Sequence, residues 1–319
     1  MPSRRSFLSF FGASAAGAAF FGWRHRWHAP QTGIAAPTPA ATASATARPS
    51  AVPSAAATVA PVAEPAAEAT ATATTASLIG SKMPTGTIVS NGTTWTQVYA
   101  EDFLTNAPLG GVTRVYPKLN FYASGKDTSG YGTYAPNQVL SVKDSALDFH
   151  LHSVNGQHLV ASVVPDNYAP HVHARVSIRY RADPITGYKF VGMLWPKSDN
   201  WNEGEIDWPE GDLTRHPRPA SAIAGTLGQG KGGAPVFLPP TEMFANTDQS
   251  QFHVATTEWT SSAVRFYWDG ALVAEVTRGI PTTPLRVTLQ AETWIAQGAP
   301  SNSSDGHIQI DWITIHEAR

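Results

Sequence analysis

From about residue 78 onward the chain alternates apolar and polar residues in short runs, broken repeatedly by Gly, Pro, Asn or Asp. Successive strand side chains point to opposite faces, so such alternation marks half-buried β-strands. The runs that carry it best are Leu147–His152, His171–Tyr180, Tyr188–Trp195, Ser221–Thr226, Phe252–Trp259, Val264–Trp268, Leu285–Trp294 and Ile308–His316. No long stretch repeats its apolar residues at helical spacing. Asn155-Gly156 and Asp269-Gly270 fall between strand-like runs and fit two-residue hairpin turns, which need positive φ at both positions. Many short antiparallel strands without an internal repeat predict an all-β domain, a β-sandwich or jelly roll.

The first 77 residues follow different rules. Ser3-Arg4-Arg5-Ser6-Phe7-Leu8 resembles a twin-arginine export motif. The apolar run behind it, Phe7 to Trp23, is about 17 residues long, the short edge of what spans a bilayer. Residues 1–29 therefore read as a signal, cleaved near Ala29 or Ala35–Ala36, or retained as an anchor. Residues 30–77 are Ala, Thr, Pro and Ser with almost no large apolar side chain. Such a segment cannot offset its ordering entropy by burial and reads as a disordered linker. The expected organisation is signal or anchor, linker, and one folded domain over 78–319. The expected setting is extracellular or at the surface of a bacterial cell, with the N-terminal segment as a membrane or cell-wall tether.

Charge and composition narrow the partners. With 22 Lys and Arg against 24 Asp and Glu in 319 residues, the chain has no basic footprint for nucleic acid. It has no cysteine, which rules out disulfides, a thiolate metal site and a thiol nucleophile. Ten Trp and nine Tyr supply flat faces with polar edges, suited to stacking on sugars as well as to filling a core. The chain is expected to be a monomer, with a polysaccharide as one partner its aromatic faces would suit.

In a chain only 14% charged, Gly204-Glu205-Ile206-Asp207-Trp208-Pro209-Glu210-Gly211 places three carboxylates within six residues. In a strand Glu205 and Asp207 share a face, and Glu210 has the wrong parity. One extra residue, a β-bulge, returns Glu210 to that face, and Pro209 suits a bulged position because it donates nothing to the ladder. Glu205 and Glu210 then stand roughly 13 Å apart along the backbone, and leaning side chains bring the carboxyl groups to ~5–6 Å. That is nearer the ~5–5.5 Å of a retaining glycosidase pair than the ~6.5–9.5 Å of an inverting pair. A solvated acidic edge or a calcium site also gathers carboxylates, but neither calls for interleaved Trp and Pro.

The motif E-I-D-x-x-E at Glu205–Glu210 resembles the signature of glycoside hydrolase family 16, in the bulged form of its laminarinase-like members. Supporting likenesses run in order along the chain: Trp95–Val98 with Glu101-Asp102-Phe103, Asn137–Val139 through Leu147–Phe149, Phe190–Trp195, Phe252–Trp259 with Asp269-Gly270, and Asp311–Ile313. The resemblance implies a concanavalin-like jelly roll with a concave substrate cleft. It implies an exported, endo-acting, retaining β-glycan hydrolase, with Glu205 as nucleophile, Glu210 as acid/base and Asp207 holding Glu205 and tuning the shared titration. β-1,3- or mixed β-1,3/1,4-glucan is the favoured substrate. A galactan hydrolase, a transglycosylase or a non-catalytic glycan-binding module is the alternative. One departure bears on substrate: a T-x-H pattern common in the family reads Thr226-Leu227-Gly228 here.

The remaining site expectations follow from parity and the same resemblance. Trp195 and Trp201 flank a polar loop beside the motif and are candidates for stacking on sugar, whereas Trp208 faces away from the carboxylates. Thr288, Gln290, Glu292 and Trp294 share one face of a strand, so Gln290, Glu292 and Trp294 are candidates for lining the cleft. His171, His173, Arg175 and Arg179 share a face in an unbroken strand, with Arg175 the candidate partner of the acidic row. His150 and His152 fall on a solvated or cleft face. Catalysis is expected to need no cofactor; the resemblance implies a structural calcium, with Asp311 as its candidate ligand.

Overall fold

The computed structural model describes residues 82–215, 217–222, 237–238, 249–294 and 298–319. The signal, the linker and the Thr226-Leu227-Gly228 departure lie outside the described residues. Two sheets, of eleven and eight strands among the described residues, pack face to face as a jelly-roll sandwich. Among these residues, pairing is antiparallel except between Gly132–Tyr134 and Gln157–Val160.

The larger sheet orders its main strands Ala271–Val276, Val264–Trp268, His253–Trp259, Ala174–Ala182, Asp305–Ala318, Ala146–Val154 and Gln157–Val160. The smaller sheet runs from Arg218–Ala222 through Glu205–Asp212 and Tyr188–Pro196 to Leu285–Thr293. Alternation decides the core between them. Leu147, Phe149 and Leu151 of the larger sheet are buried, as are Phe190, Leu194, Ile206, Val287 and Leu289 of the smaller. Phe149 and Phe190 meet edge to face across the interface, their ring centres 6.4 Å apart. The hairpin turns fall where Asn-Gly and Asp-Gly predict, with φ of 51° and 77° at Asn155-Gly156 and 48° and 80° at Asp269-Gly270.

One expected strand divides in two. Pro170–His171 pairs with Leu285 and Arg286 in the smaller sheet, whereas Ala174–Ala182 belongs to the larger. The chain changes sheets at Val172-His173, where His173 adopts φ of 60°. His171 therefore shares no face with Arg175 and Arg179.

Candidate active site

The smaller sheet's outer face carries the acidic row. Asp207 lies opposite Met193 and Glu210 opposite Val191, so Trp208 and Pro209 together face the single residue Gly192. The other neighbouring strand shows the same irregularity between Asp207 and Glu210. This two-for-one bulge puts Glu205, Asp207 and Glu210 on one face. Gly192 makes room for it. A Cβ there would come within 2.7 Å of the Trp208 carbonyl oxygen and 2.6 Å of Ile178 Cδ1. Trp208 turns inward, packs against Phe266 and Trp268 of the opposite sheet, and donates its indole N–H to the Tyr267 carbonyl at 2.8 Å.

Cross-strand registers assemble the rest of the floor. Paired residues on neighbouring strands share a face, which groups Glu210 with Val191 and Gln290, Asp207 with Met193 and Thr288, and Asp212 with Lys189 and Glu292. Lys189, unremarked in the sequence, bridges two carboxylates: its Nζ lies 3.5 Å from Glu210 and 3.2 Å from Glu292. It also sits 5.2 Å from the ring centre of Trp294. Arg218 Nη2 donates to Glu210 at 3.1 Å. Lys189 is the single charge in the otherwise apolar run Tyr188–Trp195, and a lone charge in such a run is the signal that could have found it.

The row is electrostatically tense. Burial, then repulsion from Glu210, pushes the Glu205 carboxyl up to about 7. Hydrogen bonds from the Trp201 indole, at 2.5 Å, and with Asp207 work the other way. Asp207 is held well above the usual carboxylate range by burial and by both glutamates. The two carboxyls titrate as a pair, and the hydrogen bond with Asp207 favours Glu205's ionised form. Burial alone would lower the Lys189 ammonium, but Glu292, Glu210 and Asp207 more than reverse this and hold it charged.

Several expected sugar contacts have other partners. Glu292 is fully buried. It accepts from Tyr134 Oη at 2.7 Å, from the backbone N–H and hydroxyl of Thr128, and pairs with Lys189. Burial opposes its charge, yet Lys189, Thr128 and Tyr134 together bring it below the ordinary value. It anchors Lys189 and has no oxygen open to a sugar. Arg175 is also fully buried, on the larger sheet, where its Nε donates to Glu258 at 3.0 Å. It cannot reach the acidic row, which the other sheet carries; parity selects a face without telling which of the two sheets owns it. Asp311, the candidate calcium ligand, is ion-paired with Arg179 on the larger sheet.

Trp195, Trp201 and Trp294 remain partly exposed at the cleft face. Asp199 fixes Trp195 by accepting its indole N–H at 3.0 Å, and Arg286 secures Asp199 in turn. Gln290 is buried in the floor with Ser162 Oγ 3.4 Å from its Oε1.

Carboxylates, tryptophans and a bulged strand gathered on one outer face of a sandwich fit glycoside chemistry. The model for glycosyl hydrolases family 16 matches residues 133–314, more than half of the chain. The chain belongs to that family and is a glycoside hydrolase. Among solved structures, the laminarinase from Rhodothermus marinus aligns with TM-score 0.59 at 16% identity, over 71% of this chain and 99% of that one. The endo-β-1,3-glucanase from Pyrococcus furiosus gives 0.56 at 14%, over 74% and 99%. LamA from Z. galactanivorans, solved with laminaritriose and laminaritetraose, gives 0.54 at 18%, over 70% and 99%. These likenesses define a shared fold. A search of curated proteins returns no match.

Proposed function

We propose that the protein is an exported, endo-acting, retaining hydrolase of β-1,3- or mixed β-1,3/1,4-glucan. The observation that carries the mechanism is the bulge, which turns Glu205 and Glu210 to one face with Asp207 between them. Laminarinases and β-1,3-glucanases recur among the structural neighbours, which supports the choice of glucan.

In the first step a carboxylate oxygen of Glu205 attacks the anomeric carbon. The glycosidic bond breaks as Glu210 gives its proton to the leaving oxygen, forming a glycosyl-enzyme ester. In the second, Glu210 takes a proton from water, whose oxygen attacks the same carbon and releases Glu205. Two inversions restore the original anomeric configuration. Asp207 and the Trp201 indole hold Glu205 in its attacking orientation. Trp195 and Trp294 offer stacking faces to the sugar chain.

Reducing ends released from laminarin, mixed-linkage glucan and a panel of galactans test the assignment. Release from the β-1,3-containing glucans supports it, and release from galactan alone reassigns the substrate. A folded enzyme that releases nothing overturns it in favour of a binding module. NMR of the first-formed product tests retention, which an inverted anomer would refute. Glu205→Gly should lose turnover and regain it with azide, giving a glycosyl azide of inverted configuration.

A further inference from the structure

The outer face of the larger sheet, on the far side of the sandwich from the acidic row, carries a second cluster with chemistry of its own. His150 and His307 are direct cross-strand partners on the neighbouring strands Ala146–Val154 and Asp305–Ala318, and Asp305 is paired with His152. One ligand atom from each of His150, Asp305 and His307 lies within 4.8 Å of the other two. His150 Nε2 is already 2.9 Å from Asp305 Oδ1.

We propose that His150, Asp305 and His307 form a binding site for a divalent transition metal of the zinc class. Two imidazoles and one carboxylate are a borderline-soft donor set, which suits zinc and its neighbours better than calcium or magnesium.

The surroundings prepare the ligands. His307 Nδ1 lies 2.9 and 3.1 Å from the two oxygens of Asp148, a buried carboxylate. That contact places the ring proton on Nδ1 and leaves Nε2 with a free lone pair, the carboxylate–histidine–metal arrangement. Lys143 Nζ, 3.6 Å from Asp148, balances the charge of that carboxylate. The His150 ring lies between those of His152 and His307, with centroid separations of 4.3 and 4.7 Å, so the rings are neighbours but near-parallel, and must tilt for their in-plane lone pairs to meet at one ion. Beneath them Phe149, Leu151, Ile308 and Ile310 are fully buried and fix the backbone.

Bond lengths of about 2.0–2.1 Å require the ligand atoms to draw to roughly 3.3 Å from one another. Rotation of the side chains about their χ angles on the solvent side supplies that movement, because all three are partly exposed, Asp305 most of all at 71%. A bound ion would tie the first residues of the long closing strand to its neighbour and stabilise the fold by mass action. It lies outside the cleft, so hydrolysis should not depend on it.

The test uses the untagged, chelator-treated full chain. Calorimetric titration with zinc should show one ion per chain, and zinc should raise the melting temperature where calcium and magnesium do not. His150→Ala and His307→Ala should each abolish binding, and Asp148→Asn should weaken it about 10–100-fold. Circular dichroism and glycan hydrolysis, both unchanged in these variants, would show them folded. No zinc binding at micromolar concentrations would overturn the proposal. So would zinc binding that survives both histidine variants, or an equal response to calcium.

Discussion

Glu205→Gln should destroy turnover and raise stability, with the gain confined to neutral and alkaline pH. The Glu205 carboxyl is lifted from 4.5 to about 7 by burial and by Glu210. A carboxylate with a raised folded-state pKa adds stability that is complete below its unfolded pKa and declines as pH climbs through its folded pKa. Wild type should therefore lose stability between roughly pH 4.5 and 7 on account of this group. The shift corresponds to about 3 kcal/mol, which we discount to about 2–3 because Glu205 is partly open to solvent and titrates together with Asp207. Glutamine keeps the shape, offers its carbonyl oxygen to the Trp201 indole and never ionises. For a domain of this size the gain is roughly 4–12 °C in melting temperature at about pH 8, shrinking towards nothing at about pH 4.5. Calorimetric melting of both proteins across that range isolates the effect, since any pH-independent consequence of the substitution cancels. Equal differences at both ends, or a difference that favours the variant more at low pH than at high, would refute electrostatic tension in the row.

Other substitutions probe the supports. Gly192→Ala should cost about 1–3 kcal/mol and most of the activity, because its methyl group meets the Trp208 backbone oxygen; unchanged melting and turnover would contradict this. Lys189→Met leaves the buried Glu292 without its cation and should cost about 3–5 kcal/mol in denaturant titrations at neutral pH. That difference should narrow as pH falls towards about 4.3, because Glu292 in the variant takes up a proton. Trp201→Phe removes a donor that favours ionised Glu205, so the acid limb of kcat/KM should move to higher pH; an unmoved limb would show that this hydrogen bond does not tune the nucleophile.

Local pattern reveals what local pattern controls. The bulge is legible because E-I-D-W-P-E has one residue too many for its carboxylates to share a face, with a proline where a ladder donor is dispensable. The inward turn of Trp208 follows from parity alone. Parity fails where depth or sheet membership decides the outcome. Gln290 and Glu292 do lie on the cleft side, but Glu292 is saturated by Tyr134 and Thr128, respectively 158 and 164 residues away in sequence. No periodicity reports contacts of that range. The His171–Arg179 run reads as one strand because alternation is blind to the positive φ at His173, where the chain passes between sheets.

Gly192 touches no sugar in the proposed mechanism and would escape any survey confined to cleft-facing side chains. Yet the strand that carries the acids owes its shape to a hydrogen atom on the strand beside it. Transplanting Glu205–Glu210 alone into another sandwich would import the carboxylates and leave their spacing to chance. The smallest portable unit is the ribbon of Tyr188–Pro196 with Glu205–Asp212, and an engineer or a recombination event that separates the two halves should inherit an inert sheet.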